Sequence, residues 1–100
     1  MADTPKPDPQ FLARANTLIQ IANDQLDAGA DRGPTSASFL YASSRFNAWV
    51  VACSAGTPER MRETREQTLD YFVKQYAAML EENFDDYVRN FDTYMKPPAA

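Results

Sequence analysis

Apolar residues recur every three or four positions along most of the chain, which is the spacing of one face of an α-helix. The first such stretch contains Phe11, Ala15, Leu18, Ala22 and Leu26. Asp8 and Pro9 precede it and are typical of a helix start, because an aspartate oxygen accepts a free amide and proline needs no donor there. Gly29 is a residue type that commonly ends a helix. The sequence therefore predicts a first amphipathic helix between Asp8 and Gly29.

A second helix is predicted to begin at Thr35 or Ser36, either of which can cap it, and to run to Ala55 before Gly56. This segment has two apolar flanks at helical spacing. One flank consists of Ala37, Ser44, Ala48 and Val51, and the other consists of Phe39, Phe46, Val50 and Cys53. Two apolar flanks predict a neighbour on each side, as in the middle helix of a three-helix arrangement.

A third helical pattern opens at Thr57 and Pro58 and continues to Met95, before two further prolines. If it is unbroken it spans about 57 Å, nearly twice the length of about 30 Å expected for each earlier helix. It must therefore overhang the other helices or break. We expect any break near Asn83, the poorest helix former beside the apolar stripe.

These patterns predict an all-α fold. It is a three-helix bundle with a long third helix, or four helices if the third breaks near Asn83. A chain of 100 residues suffices for one core. We assign residues 8–96 to a single helical domain and residues 1–7, which have no apolar periodicity, to a flexible tail.

Charge and composition exclude several classes of protein. The net charge of −4 argues against a nucleic-acid partner, which requires clustered basic residues. The longest stretch of low charge, from Ser36 to Ala55, contains Arg45 and Asn47 and does not predict a membrane span. The start of the chain lacks the apolar run of a secretory signal, and the lone Cys53 suits a reducing compartment, so we expect a cytoplasmic protein.

The sequence offers little catalytic chemistry. It contains no histidine, which removes the usual general base and the commonest metal ligand. Cys53 follows three apolar residues and is interpreted as a core cysteine. We expect no catalytic residues, no metal and no cofactor. A dense acidic cluster is interpreted as a solvated helix face, with a divalent cation or a basic partner as the alternative; it comprises Glu81, Glu82, Asp85 and Asp86.

Arg45 is the candidate binding residue. It is the only full charge between Pro34 and Gly56, and helical spacing places it on the same face as Tyr41 and Trp49. Its guanidinium could stack on these rings and bind an anionic ligand or a partner. Alternatively, it forms a structural ion pair with Asp24, Glu66 or Asp70.

Three segments carry a resemblance to a known family. They are IANDQ, SASFLYASSRFNAWVV and YFVKQYAAMLEENFDDY. With them the chain resembles, from Phe11 to about Tyr94, a family of short bacterial proteins defined as a domain of unknown function. The resemblance implies a small helical protein and assigns no catalytic residue.

The sequence favours a non-catalytic module that associates with itself or with another protein. Past Asn83 the apolar stripe continues beyond the reach of the shorter helices, so a homodimer is predicted there. Its predicted interface comprises Phe84, Tyr87, Val88, Phe91 and Tyr94. A chain that folds back after Asn83 would be the alternative way to cover these residues. The alternative function is a carrier of a small anionic ligand near Arg45.

Overall fold

The computed structural model describes residues 8–96, and the regular structure in this range is entirely helical. The helices are α1 (Phe11–Asp27), α2 (Arg32–Ala55), α3 (Pro58–Glu63), α4 (Arg65–Arg89) and α5 (Phe91–Met95). This confirms the all-α class, although the helices number five within this range. The predicted tail, residues 1–7, lies outside the described residues, as do the two prolines expected to end the last helix.

The chain divides into two units after Val51, within α2. The first unit contains α1 and most of α2, and the second contains the end of α2 with α3, α4 and α5. Each unit is described by itself. The bundle packing of the helices and the single domain stay predictions.

The predicted cap at Asp8 is wrong, because the cap position of α1 is Gln10, which makes no side-chain cap hydrogen bond. Asp8 instead lies in the turn before the helix. Its carboxylate accepts a hydrogen bond from the Gln10 backbone N–H at 2.8 Å and one from the Arg14 guanidinium at 2.7 Å. These bonds lower the pKa of the Asp8 carboxyl below its ordinary value, the Arg14 bond most. Regular helix begins at Phe11, because the turn before it is tighter: the Phe11 N–H bonds to the Asp8 carbonyl, three residues back.

The end of α1 has the geometry of a glycine stop. Gly29 has a φ of 110°, and its N–H donates to the Leu26 carbonyl while the Ala30 N–H donates to the Gln25 carbonyl. This pair of bonds is the Schellman motif, which satisfies carbonyls that the helix leaves free. The sequence prediction that Gly29 ends the first helix is confirmed to within two residues.

The predicted start of α2 at Thr35 or Ser36 is wrong, because α2 begins at Arg32. Pro34 therefore lies in the first turn, where helical amides have no carbonyl partner and a proline costs little. The Thr35 N–H donates to the Asp31 carbonyl at 3.1 Å. At the other end, Gly56 has a φ of 78° and follows Ala55, so the predicted end of this helix is confirmed.

The third predicted helix breaks at Thr64. Thr57 caps α3 by accepting the Arg60 N–H at 3.2 Å, as its position before Pro58 predicts. At Thr64 both the backbone N–H and the side-chain hydroxyl bond to the Arg60 carbonyl, at 3.2 and 3.1 Å. A threonine hydroxyl that competes for the carbonyl four residues back bends a helix. One residue of turn then separates α3 from α4.

The prediction of a break near Asn83 is wrong, because α4 continues through it. The Asn83 side chain donates to the Met79 carbonyl at 2.9 Å without interrupting the helix. A second interruption occurs at Asn90 instead. There the side-chain amide bonds both to the Asp86 carbonyl, at 3.2 Å, and to the Asp86 carboxylate, at 2.9 Å. Asn83 has no such carboxylate one turn back, since that position is a methionine.

Burial in the described chain is slight. Among residues 8–96 no apolar side chain is fully buried, and Thr35, at 8% exposure, is the one buried residue. The half-buried positions follow the predicted stripes in part. They are Ala15, Ala22 and Leu26 in α1, Asn47, Val51, Ala52 and Ala55 in α2, and Met61, Thr68, Phe72, Gln75 and Asp86 in α3 and α4. Of the predicted flank that ends in Val51, Val51 alone is half-buried, whereas Ala37, Ser44 and Ala48 are exposed.

Two glycine substitutions should change stability in opposite directions. Gly56→Ala should lower the free energy of unfolding by about 1 kcal/mol, because an L-residue is strained at a φ of 78°. Gly33→Ala should raise it by about 0.5 kcal/mol, because Gly33 lies in α2 and a Cβ there meets open space. Urea unfolding at one protein concentration measures both changes. A stabilising Gly56→Ala would contradict the left-handed stop.

Candidate functional site

The three predicted ligand-binding residues lie in α2 and are all exposed. The Trp49 ring packs on Phe46, with the ring centroids 5.7 Å apart and the planes tilted by 35°. The aromatic partner of Trp49 is therefore Phe46 on the neighbouring flank. Stacking of Arg45 on Tyr41 or Trp49 stays a prediction. Tyr41 is 64% exposed, so its ring is also open to solvent.

Arg45 has no ion pair within its own unit. Between residues 8 and 51 the one ion pair joins Arg14 to Asp8, and Asp24 instead accepts a hydrogen bond from Gln20 at 2.8 Å. Asp70, another predicted partner, lies 2.9 Å from Lys74. Pairing of Arg45 with Glu66 or Asp70 stays a prediction. Within the first unit, Arg45 offers an uncompensated positive charge beside exposed aromatic rings.

The second predicted flank of α2 is an exposed apolar face. We define the α2 face as this flank, Phe39, Phe46, Val50 and Cys53, together with Trp49 from the neighbouring face; the large members are 39–61% exposed. Cys53 is exposed, so its interpretation as a core cysteine is wrong. The positions 39, 46 and 53 repeat every seven residues with 49 between them, which is the spacing of a helix that packs along another helix.

The predicted dimer residues form a second exposed apolar surface. We define the α4–α5 face as Phe84, Tyr87, Val88, Phe91 and Tyr94, which are 46–66% exposed. The rings of Tyr87 and Tyr94 meet edge to face with centroids 4.8 Å apart. This contact joins α5 to the end of α4, so the two helices present their aromatic side chains together.

Asp86 holds the corner between α4 and α5. Its carboxylate accepts the Tyr94 hydroxyl at 3.0 Å and the Asn90 amide at 2.9 Å, and the Arg89 guanidinium lies 4.0 Å away. The carboxylate raises the pKa of the Tyr94 phenol above its ordinary value of 10.0, chiefly because the hydrogen bond requires the protonated hydroxyl. Asp86 is therefore a structural residue, and the acidic cluster does not act as one uniform solvated face.

Sequence reasoning assigned Asp86 to the solvated cluster and missed this corner. The available signal was the spacing of Asp86, Asn90 and Tyr94, which lie four residues apart and so share one helix face. An amide and a carboxylate four residues apart also bond within a continuous helix, as Gln20 and Asp24 do in α1. Helical periodicity alone therefore does not locate the end of α4.

Two features are absent from the described residues: a cluster of metal ligands and a membrane-spanning helix. From residue 8 to residue 96 no three acidic, cysteine or histidine side chains converge as metal ligands would. In the same range no helix combines the length and the apolar character needed to cross a membrane.

Comparison with known proteins gives the chain a family. The family model described as "Protein of unknown function (DUF3144)" matches residues 11–88. The chain belongs to this family. The resemblance inferred from the sequence is thereby confirmed, and the DUF3144 match includes Tyr41, Arg45 and Trp49. No curated protein and no solved structure was found to match the chain.

The matched region of this DUF3144 protein ends inside α4, before the α4–α5 corner is complete. It includes Phe84, Tyr87 and Asp86, whereas Asn90 and Tyr94 lie beyond residue 88. The α2 face lies entirely inside the matched region.

The hydrogen bond between Tyr94 and Asp86 should be lost at high pH. Because the folded chain raises the pKa of Tyr94, the bond stabilises the corner below pH 10.0 and is lost as pH rises through the higher folded value. Phenolate absorbance during alkaline titration should show one of the five tyrosines ionising late. Tyr94→Phe should remove this late component, and Asp86→Asn should bring it toward 10.0.

Tyr41→Phe is the matched control. The Tyr41 ring is exposed, and its hydroxyl forms no hydrogen bond with a carboxylate in the first unit. It should leave the late component in place. A late component that persists in Tyr94→Phe would contradict the assigned hydrogen bond.

Proposed function

We propose that this protein is a non-catalytic module that forms a homodimer in the cytoplasm. The observation that supports the proposal is the exposure of its large apolar side chains. Between residues 8 and 96 none of them is fully buried, and Phe84, at 66%, is among the most exposed. Removal of such side chains from water is the main driving force for association.

The size of the exposed apolar area also bears on association. An aromatic side chain buries about 150–250 Å², so the α4–α5 face exposes an aromatic and aliphatic area of about 500 Å². The α2 face contributes a similar area. The largest apolar patch on an ordinary monomer is about 300–600 Å², whereas a standard interface covers about 800 Å² per partner. The α4–α5 face alone is thus as large as the largest apolar patch on an ordinary monomer, and a patch of this size is often functional.

A two-fold homodimer is the simplest association that covers the α4–α5 face, because the face then pairs with its own copy. Glu81, Glu82 and Asp85 lie next to it in sequence and would form a charged rim. Arg89, whose charge could pair with this rim, lies 4.0 Å from Asp86 of its own chain. It can bridge to the rim of the second copy only by leaving this position.

The absence of histidine from the sequence supports a non-catalytic function, since general acid–base chemistry near neutral pH relies most on that residue. Neither a nucleic acid nor a membrane is part of the proposal. A carrier of a small anionic ligand at Arg45 is the second candidate, and the observation that favours it is the unpaired state of Arg45 within the first unit. Because the Trp49 ring contacts Phe46, we rank the carrier function below the dimer.

Light scattering after gel filtration should give twice the chain mass of 11.3 kDa. Phe84→Glu combined with Phe91→Glu should reduce the mass toward one chain, because burial of two carboxylates in an apolar contact is strongly unfavourable. A mass near 11.3 kDa for the unmodified chain at all concentrations would contradict the dimer.

Asn16→Glu combined with Asn23→Glu is the matched control. These substitutions add the same charge at the same seven-residue spacing, at exposed positions of α1. The control variant should remain dimeric. If it dissociates as the phenylalanine variant does, the effect is one of net charge and the α4–α5 face is not the interface.

A further inference from the structure

The break between α4 and α5 interrupts the backbone hydrogen bonds of the last helical segment. The last bond before it joins the Asn90 N–H to the Asp86 carbonyl, and the next joins the Tyr94 N–H to the Asn90 carbonyl, both at 3.0 Å. In this part of the described chain, the amides of residues 91–93 form no hydrogen bond with the carbonyls of residues 87–89. A continuous helix would pair these groups. The bent chain therefore lacks three backbone hydrogen bonds that a straight one would have.

A single residue makes the break. Asn90 has a φ of −116° and a ψ of 25°, whereas a residue inside a helix has about −63° and −42°. No proline or glycine lies between residues 86 and 95, so every residue of this segment is compatible with the interior of a helix. A change in the two dihedral angles of Asn90 is therefore enough to join α5 to α4 as one helix.

The Tyr94 side chain holds the bent form. Its hydroxyl lies 3.0 and 3.2 Å from the two carboxylate oxygens of Asp86, and its ring centroid lies 4.8 Å from that of Tyr87. In a continuous helix, residues 86 and 94 would be about 12 Å apart along the axis, and residues 87 and 94 about 10.5 Å apart. Side chains on a helix point back toward its start, so these separations would largely remain at their tips. Both contacts of Tyr94 therefore require the bend at Asn90.

We propose that Tyr94 is a conformational latch. In contact with Asp86 and Tyr87 it holds the chain bent at Asn90, and its release lets α4 continue to Met95 as one helix. The two forms compete because each makes interactions that the other lacks. The bent form has the hydrogen bond and the ring contact of Tyr94, whereas the continuous form has three more backbone hydrogen bonds.

The latch controls the aromatic part of the α4–α5 face. In the bent form the rings of Tyr87 and Tyr94 lie together on that face, whereas in the continuous form they would lie about 10.5 Å apart along the helix. A partner that displaces the Tyr94 hydroxyl from Asp86 would therefore change the surface that this end of α4 presents. The inference does not rest on the proposed dimer, because every contact it uses lies within the second unit of one chain.

Tyr94→Ala tests the latch, because it removes both contacts and leaves the hinge residue, Asn90, unchanged. Amide hydrogen exchange at residues 91–93, measured by NMR, should be slower in the variant than in the unmodified chain by about tenfold or more, because these amides gain backbone partners. The Cα chemical shift of Asn90 should move into the helical range at the same time. In the unmodified chain, a nuclear Overhauser effect between the rings of Tyr87 and Tyr94 should mark the bent form.

Tyr76→Ala is the matched control, since Tyr76 lies in α4 away from the corner and is 52% exposed, close to the 46% of Tyr94. It should leave exchange at residues 91–93 unchanged, and slowing equal to that in Tyr94→Ala would overturn the latch. Exchange that stays fast in Tyr94→Ala would also overturn it, whether α5 keeps its bend or loses its helix. If Tyr94→Ala fails to fold, as judged by circular dichroism, Tyr94→Phe removes the hydroxyl alone. It should slow exchange at the same amides to a smaller extent, and unchanged exchange there would overturn the inference.

Discussion

The structure depends on one constraint: apolar side chains must leave water, and the helices of this chain leave theirs exposed. Helix formation satisfies the backbone hydrogen bonds of residues 11–95 but buries little side-chain surface. Isolated helices of 17–25 residues are marginal in water without packing of their apolar faces. The energy that holds these helices must therefore come from surfaces that pack against α1, α2 and α4, and our proposal is that a second copy supplies such surfaces.

Local side-chain chemistry decides where the helices stop. At Gly29 and Gly56 a positive φ reverses the chain, and at Thr64 and Asn90 a side chain competes for the carbonyl of the preceding turn. These ends set which apolar residues share a face. The corner at Asn90, held by Asp86 and Tyr94, brings the aromatic rings of α5 beside those of α4. The extent of the α4–α5 face is thus a consequence of how α4 ends.

Features that depend on spacing or on a single residue type could be predicted from the sequence. The all-α class, the ends of the first two helices and the cap at Thr57 follow from periodicity, glycine and the cap before proline. Helix propensity could not predict that the break after α4 lies at Asn90 and not at Asn83, because both residues are asparagines. Only Asn90 has a carboxylate one turn earlier, and that carboxylate also receives the hydroxyl of Tyr94.

The environment of a side chain was harder to predict than its face. Helical spacing places Arg45, Tyr41 and Trp49 along one side of α2, but it did not indicate that the Trp49 ring packs on Phe46. Cys53 was expected in a core because its neighbours are apolar, and it is exposed. An apolar face indicates that a surface must be covered. The sequence of such a face does not indicate whether the same chain or a second copy packs on it.

The concentration dependence of thermal unfolding tests the central claim most directly. If a second copy buries the apolar faces, folding and association are coupled, and the midpoint temperature rises with protein concentration. Circular dichroism melts over a hundredfold range of concentration, with gel filtration before and after each melt, would measure this dependence. The account predicts a midpoint that increases steadily with concentration. A single midpoint across the whole range, with a cooperative transition, would show that one chain buries its own apolar faces and would contradict the account.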